Sequence, residues 1–122
     1  MNDTLATADA RLLAELGFIA LSAGRYEDAA AIFDGLRAAR PVEEAGALGR
    51  AMVHMAGGEL DDAVNLLKRL PPSDAAQAYL GIALARRGDI DEARTILERV
   101  IRTAPGTPFA ELAAAVLEET GR

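Results

Sequence analysis

One hexapeptide constrains this chain more than any other feature, because it occurs three times: Gly24-Arg25-Tyr26-Glu27-Asp28-Ala29, Gly58-Glu59-Leu60-Asp61-Asp62-Ala63 and Gly88-Asp89-Ile90-Asp91-Glu92-Ala93. The shared pattern is glycine, polar, apolar, acidic, acidic, alanine. The first two copies begin 34 residues apart and the last two 30 apart, and periods of this size mark architectures built from stacked repeats. Each position has a mechanical reading. The glycine ends one helix by taking a left-handed backbone conformation that a Cβ would resist. The two acids then fall in the first turn of the next helix, whose positive end favours them. The alanine lets a neighbouring helix approach closely. Each copy therefore marks the turn of a helix-turn-helix unit.

The rest of the composition agrees. Of 122 residues, 27 are alanine and 16 leucine, the residues that lose least side-chain freedom on entering a helix, so the chain is expected to be all-α. Seven helices are predicted, roughly over 8–22, 26–39, 43–56, 60–70, 74–87, 90–103 and 107–120. Their ends carry start and stop signals: Pro41, Pro71-Pro72 followed by Ser73-Asp74, Pro105-Gly106, Thr107 as an N-cap with Pro108 after it, and Gly121 as a terminal cap. Connections this short set successive helices antiparallel. No Ser- or Pro-rich linker divides the chain, and a length of 122 residues fits one domain with a core of its own.

Several function classes are excluded by what is missing. With no cysteine, disulfide frameworks, thiolate zinc sites and thiol nucleophiles go together. A single histidine, His54, leaves little for multi-histidine metal sites or a Ser-His-Asp triad. A net charge of −6 with one lysine, Lys68, offers no basic face to displace the counterions of a nucleic acid. Met1 to Ala10 carries Asp3 and Asp9 and no positive side chain, unlike a secretory peptide. No run approaches the ~18 apolar residues of a spanning helix. The cytoplasm is the expected compartment, and the glycosylation-like triplet Asn2-Asp3-Thr4 is read as a chance match.

Aligned on the hexapeptides, the chain resembles the tetratricopeptide repeat family, whose 34-residue unit has small residues where its two helices cross and a proline near its end. In a first unit, about 10–43, Leu13, Leu16, Gly17, Ala20, Tyr26, Ala29, Phe33, Leu36 and Pro41 fall on signature positions. In a third, about 74–107, Leu80, Gly81, Leu84, Gly88, Ile90, Ala93, Leu97, Val100 and Pro105 do the same. The second, about 44–73, is four residues short and departs at Arg50 and His54, where Leu and an aromatic are expected. The resemblance implies a right-handed solenoid of three helix-turn-helix repeats within a single domain, 1–122, closed by a capping helix at 107–120. In that cap, Phe109, Leu112, Val116 and Leu117 exceed what one packing stripe is expected to require.

In this family the first helix of each unit lines the concave side, so its other positions indicate the ligand. The groove implied here is apolar: Phe18 and Leu21 from the first unit, Leu48, Met52 and Met55 from the second, Tyr79 and Ile82 from the third, then Phe109, Leu112 and Val116 from the cap. Co-chaperones of the family that hold the acidic tail of heat-shock chaperones use a clamp of Lys, Asn and Arg. The corresponding positions here are Ala14, Phe18, Gly49, Ala75 and Tyr79, which cannot hold a carboxylate. An apolar groove suits instead an amphipathic helix or extended apolar segment of a partner protein, with methionines adapting to its shape.

A compact, acidic, three-repeat chain with such a groove also resembles the small chaperones of bacterial type III secretion systems. Needle-subunit chaperones, of about this length, hold an amphipathic helix of the needle protein, usually with a small helical co-chaperone. Translocator chaperones, usually longer, hold an extended segment. The length favours the needle-subunit type. The alternatives are the translocator type, a general scaffold or adaptor, and a self-associating structural protein, with a homodimer covering the groove when no ligand is bound.

No catalytic, metal or cofactor site is expected. His54 is the only candidate general base, and its place among signature positions reads as a packed, hydrogen-bonded histidine. Asp61-Asp62 and Asp89 with Asp91-Glu92 lack the spacing of a calcium loop. Gly46-Ala47-Leu48-Gly49 and Gly57-Gly58 lack the Lys and Ser/Thr of a phosphate loop and read as close helix packing and a turn. Lys68-Arg69 and Arg86-Arg87 stand near helix C-termini, where cations are favoured.

Overall fold

The computed structural model describes residues 6–121; the Asn2-Asp3-Thr4 triplet lies outside them. Among the described residues there are seven α-helices and no strand: α1 (Thr7–Ser22), α2 (Tyr26–Ala39), α3 (Ala45–Ala56), α4 (Leu60–Lys68), α5 (Asp74–Arg87), α6 (Ile90–Thr103) and α7 (Pro108–Thr120). Each coincides with a predicted helix to within two residues at either end. α3 starts later than expected because Glu43 bonds back to the Arg40 carbonyl, in a turn that the Arg40–Glu43 ion pair also spans. α4 stops earlier because Arg69 and Leu70 tighten into a last turn on Leu66 and Leu67, ahead of two prolines.

The hexapeptide does in all three copies what its chemistry demands. Gly24, Gly58 and Gly88 have φ of +77°, +77° and +99°. In each copy the residue after the glycine donates its N–H to the carbonyl five positions earlier: Arg25 to Ala20, Glu59 to His54 and Asp89 to Leu84, at 2.8–2.9 Å. That bond satisfies a carbonyl the ending helix leaves open. The acids follow in the first turns of α2, α4 and α6, and Ala29, Ala63 and Ala93 are buried. Ser73 and Thr107 cap α5 and α7, accepting from the N–H groups of Ala76 and Ala110. Gly121 differs from the expectation: its φ of −77° is right-handed, so the last helix ends without a left-handed cap.

The chain divides into two compact units, Met1–Glu59 and Leu60–Arg122. In the first, α1, α2 and α3 pack pairwise around Ala29, Phe33 and Val53, with Ala20, Leu21 and Ala30 against them. Phe33 occupies space that two glycines vacate. A Cβ at Gly17 would lie 2.6 Å from its ring and one at Gly49 only 2.2 Å. The unexpected Arg50 reaches across from α3 to Asp34 of α2, with Nε 3.2 Å from Oδ1.

In the second unit α5 packs on α4, α6 and α7, and α6 packs on α7. Its core joins Ala78, Leu97, Val100 and Ala113, with Ile101, Phe109, Val116 and Leu117 laid against it. Gly81 plays the role of Gly17, since a Cβ there would meet Leu97 at 2.4 Å. Arg87 ties the turn before α6 to the start of α4, bonding Asp89 at 2.6 Å and Asp61 at 3.0 Å. The hydrogen bond to Asp89, with that to Asp61, raises the Arg87 pKa. Lys68 pairs with Glu92 at 3.3 Å. These acids are thus engaged with cations of their own unit.

Candidate partner-binding surfaces

Each unit offers its own candidate surface. In the first, Phe18 lies on α1 and remains 37% exposed, its ring set edge-on against Phe33 with centroids 5.0 Å apart. Leu21 packs on the core cluster and is half-buried. Leu48 and Met52 on α3 are half-buried, whereas Met55 is 8% exposed and belongs to the interior. Near the starts of α1 and α3 a hollow of about 230 Å³ is lined by Ala10, Arg11, Ala14 and Ala45, with Leu36 and Glu43 beside them. Its lining includes Ala14, one of the clamp positions, beside the first residue of α3.

In the second unit, Tyr79 on α5 is half-buried and Ile82 is only 6% exposed. α5 is flanked by three helices, so an expected lining position such as Ile82 becomes core. Phe109, Val116 and Leu117 pack on the core through one stripe of α7, with spacing i, i+7, i+8. One stripe therefore accounts for three of the four large residues that were expected to exceed it, and Leu112 alone is exposed.

The five clamp positions carry no cation in either unit. Ala14 and Ala75 are half-buried, Gly49 is buried under Phe33, and Phe18 and Tyr79 are aromatic. His54 Nδ1 lies 2.9 Å from Oε1 of Glu59.

The surface that sequence reasoning missed is on α1. Leu12, Leu16 and Ile19 are 55%, 46% and 63% exposed, although Leu16 stands on a signature position. The signal that could have found them is the repeat register, which shows that a covering helix is needed at these positions.

The tetratricopeptide repeat profile matches residues 20–80 and again 55–116, and the chain belongs to the tetratricopeptide repeat family. No curated protein matches it by sequence. Among solved structures it is similar to the Yersinia enterocolitica type III secretion chaperone SycD, solved in complex with a peptide of the translocator YopD: 22% identity, a TM-score of 0.76, and 95% of each chain covered. PcrH from Pseudomonas aeruginosa, in complex with the chaperone binding region of PopD, is 22% identical with a TM-score of 0.77, over 99% of this chain and 97% of that one. The second tetratricopeptide domain of human RPAP3, in complex with the HSP70 peptide SGPTIEEVD, is 21% identical with a TM-score of 0.73, over 93% and 98%. At these identities the likeness establishes the shared fold. Among the described residues, no helix is long and apolar enough to cross a membrane.

Proposed function

We propose that this protein is a non-catalytic binding adaptor of the chaperone type, which holds an apolar or amphipathic segment of a partner protein against the first helices of its repeats. The reading takes the chain as one domain of three repeats, about 10–43, 44–73 and 74–107, with α7 as the cap. The observation that carries it is Phe18, a large aromatic left 37% exposed on a first helix, with Leu48 and Met52 half-buried on the next. In the second unit Tyr79 and Leu112 contribute in the same way. A partner segment that covers such side chains gains burial of apolar surface. Of the other expected lining residues, Met55 and Ile82 are buried, and Leu21, Phe109 and Val116 pack on the core clusters of their units.

The absence of cations at the clamp positions favours apolar anchors over an acidic tail like that of the HSP70 peptide bound to RPAP3. Within type III secretion, the comparisons favour the translocator-chaperone reading over the needle-subunit one. The length argument for the needle-subunit type loses its force, because this chain covers 95% and 97% of the SycD and PcrH chains that were solved with translocator segments. The physical logic is protection: a segment that inserts or self-associates elsewhere is kept single until release.

The test is affinity capture from the native cell by wild type and by Met52→Asp and Leu48→Asp variants of matched melting temperature, followed by native mass spectrometry. A protein retained by wild type and lost by both variants is expected, and its mass and cross-linked segment separate translocator from needle subunit. Retention of nothing, or equal retention by the variants, removes the reading.

A further inference from the structure

The three hexapeptides set a register in which positions compare across repeats. Counted from Gly24, Gly58 and Gly88, Leu12 corresponds to Gly46 and Ala76, Leu16 to Arg50 and Leu80, and Ile19 to Val53 and Ala83. In α5 these positions are shut: Ala76, Leu80 and Ala83 are 0%, 4% and 0% exposed. In α3, Gly46 and Val53 are buried and Arg50 is ion-paired. In α1 the same three positions carry large apolar side chains and lie open to solvent.

The cover over α3 is one face of α2. A Cβ at Gly46 would stand 2.8 Å from the backbone nitrogen of Arg37, Asp34 pairs with Arg50, and Ala29 and Phe33 cluster with Val53. α4 packs on α5 in the second unit. Among the described residues no helix does this for α1. Instead, a groove of about 530 Å³ runs beside the stripe, lined by Leu16, Ile19 and Ala20 of α1, Ala23 and Arg25 of the turn after it, and Asp28, Ala31 and Ile32 of α2.

We propose that this face docks an amphipathic helix of a partner polypeptide, seated on α1 as α2 is seated on α3. The site consists of Leu12, Leu16 and Ile19 rather than Phe18, Leu48, Met52, Tyr79 and Leu112, and does not depend on the reading given for those residues. The register also states the chemistry of the occupant. Where α2 sets Asp34 against Arg50, the docking helix meets Leu16 and needs an apolar residue. At the places of Ala29 and Phe33 it needs apolar residues against Ile19. A second copy of this chain fits less well, because pairing α1 with its own copy about a two-fold at Leu16 sets Glu15 against itself. Three large side chains are also a small part of the ~800 Å² per partner that a standard stable interface buries.

The probes are two synthetic peptides of residues 24–40, which carry the covering face of α2: one with the chain's own sequence and one with Asp34→Leu. On the full chain, the Asp34→Leu peptide is expected to bind about tenfold more tightly than the unaltered one, since the latter buries a carboxylate on Leu16. The Leu16→Arg protein, which carries on α1 the residue found at position 50, is expected to reverse that order. Ile19→Ser is expected to weaken the Asp34→Leu peptide by a similar factor, and it serves as the readout if Leu16→Arg fails to fold by circular dichroism. Equal affinities, an order that does not reverse, or no binding at about 0.5 mM overturns the proposal. A dimer in sedimentation that Ile19→Ser dissolves assigns the face to a second copy and overturns it as well.

Discussion

At the scale of single residues, the fold turns on where a Cβ is forbidden. Glycine in a helix interior is ordinarily a loss of about 0.5–1 kcal/mol relative to alanine, and α1, α2 and α3 all contain it. Its sign depends on the neighbour. Gly49 faces Phe33 with no room for a methyl group, whereas an added Cβ at Gly35 meets nothing within 4 Å. Gly49→Ala is therefore expected to lower stability by about 2 kcal/mol through overpacking, and Gly35→Ala to raise it by about 0.5 kcal/mol. Urea unfolding midpoints of the two variants should move in opposite directions; a shift of the same sign would show that the ring of Phe33 can yield. The close packing at Gly46 and Gly49 was legible, because two glycines three residues apart in a helical run have few other uses. The fate of Phe18 was not, since its exposure depends on how Phe33 fills the space beneath it.

Helices and their ends were the most legible level. α1, α3 and α5 stop at glycines that turn left-handed, α2, α4 and α6 start on an acidic pair, and α5 and α7 start at a hydroxyl cap, so local chemistry fixes these boundaries. Thr107 illustrates the strength of such a signal. Its Oγ accepts from the N–H of Ala110, and Pro108 pre-sets the first turn of α7. Thr107→Ala is expected to cost about 1 kcal/mol and to speed amide exchange in α7 more than in α5 or α6; an even rise across all three would mean that α7 has no independent opening. Burial of whole faces was less legible. Periodicity tells which residues of a helix are apolar, but the number of helices set around it decides how many faces are shut. α5 has three neighbours within its unit, so Ile82 sank into the core. α1 has its neighbours on one side, so Leu12, Leu16 and Ile19 stayed outside.

For the whole molecule, the two compact units each have their own buried cluster, one around Phe33 and one around Leu97 and Val100. In repeat proteins stability is close to a sum of local terms, so damage should stay local. Phe33→Ala is expected to lose about 3–5 kcal/mol and Leu97→Ala about 2–5 kcal/mol. In native-state hydrogen exchange the first should lower protection mainly in α1–α3 and the second mainly in α5–α7; identical profiles would point to one indivisible cooperative unit. The placement of the tyrosines makes the same question accessible to light. The chain has two tyrosines and no tryptophan, with Tyr26 at the start of α2 and Tyr79 within α5. Each unit therefore carries one native fluorophore with no indole to drain its emission. A single Tyr→Phe exchange in either unit leaves an optical channel that reports on the other, without a dye or an engineered label.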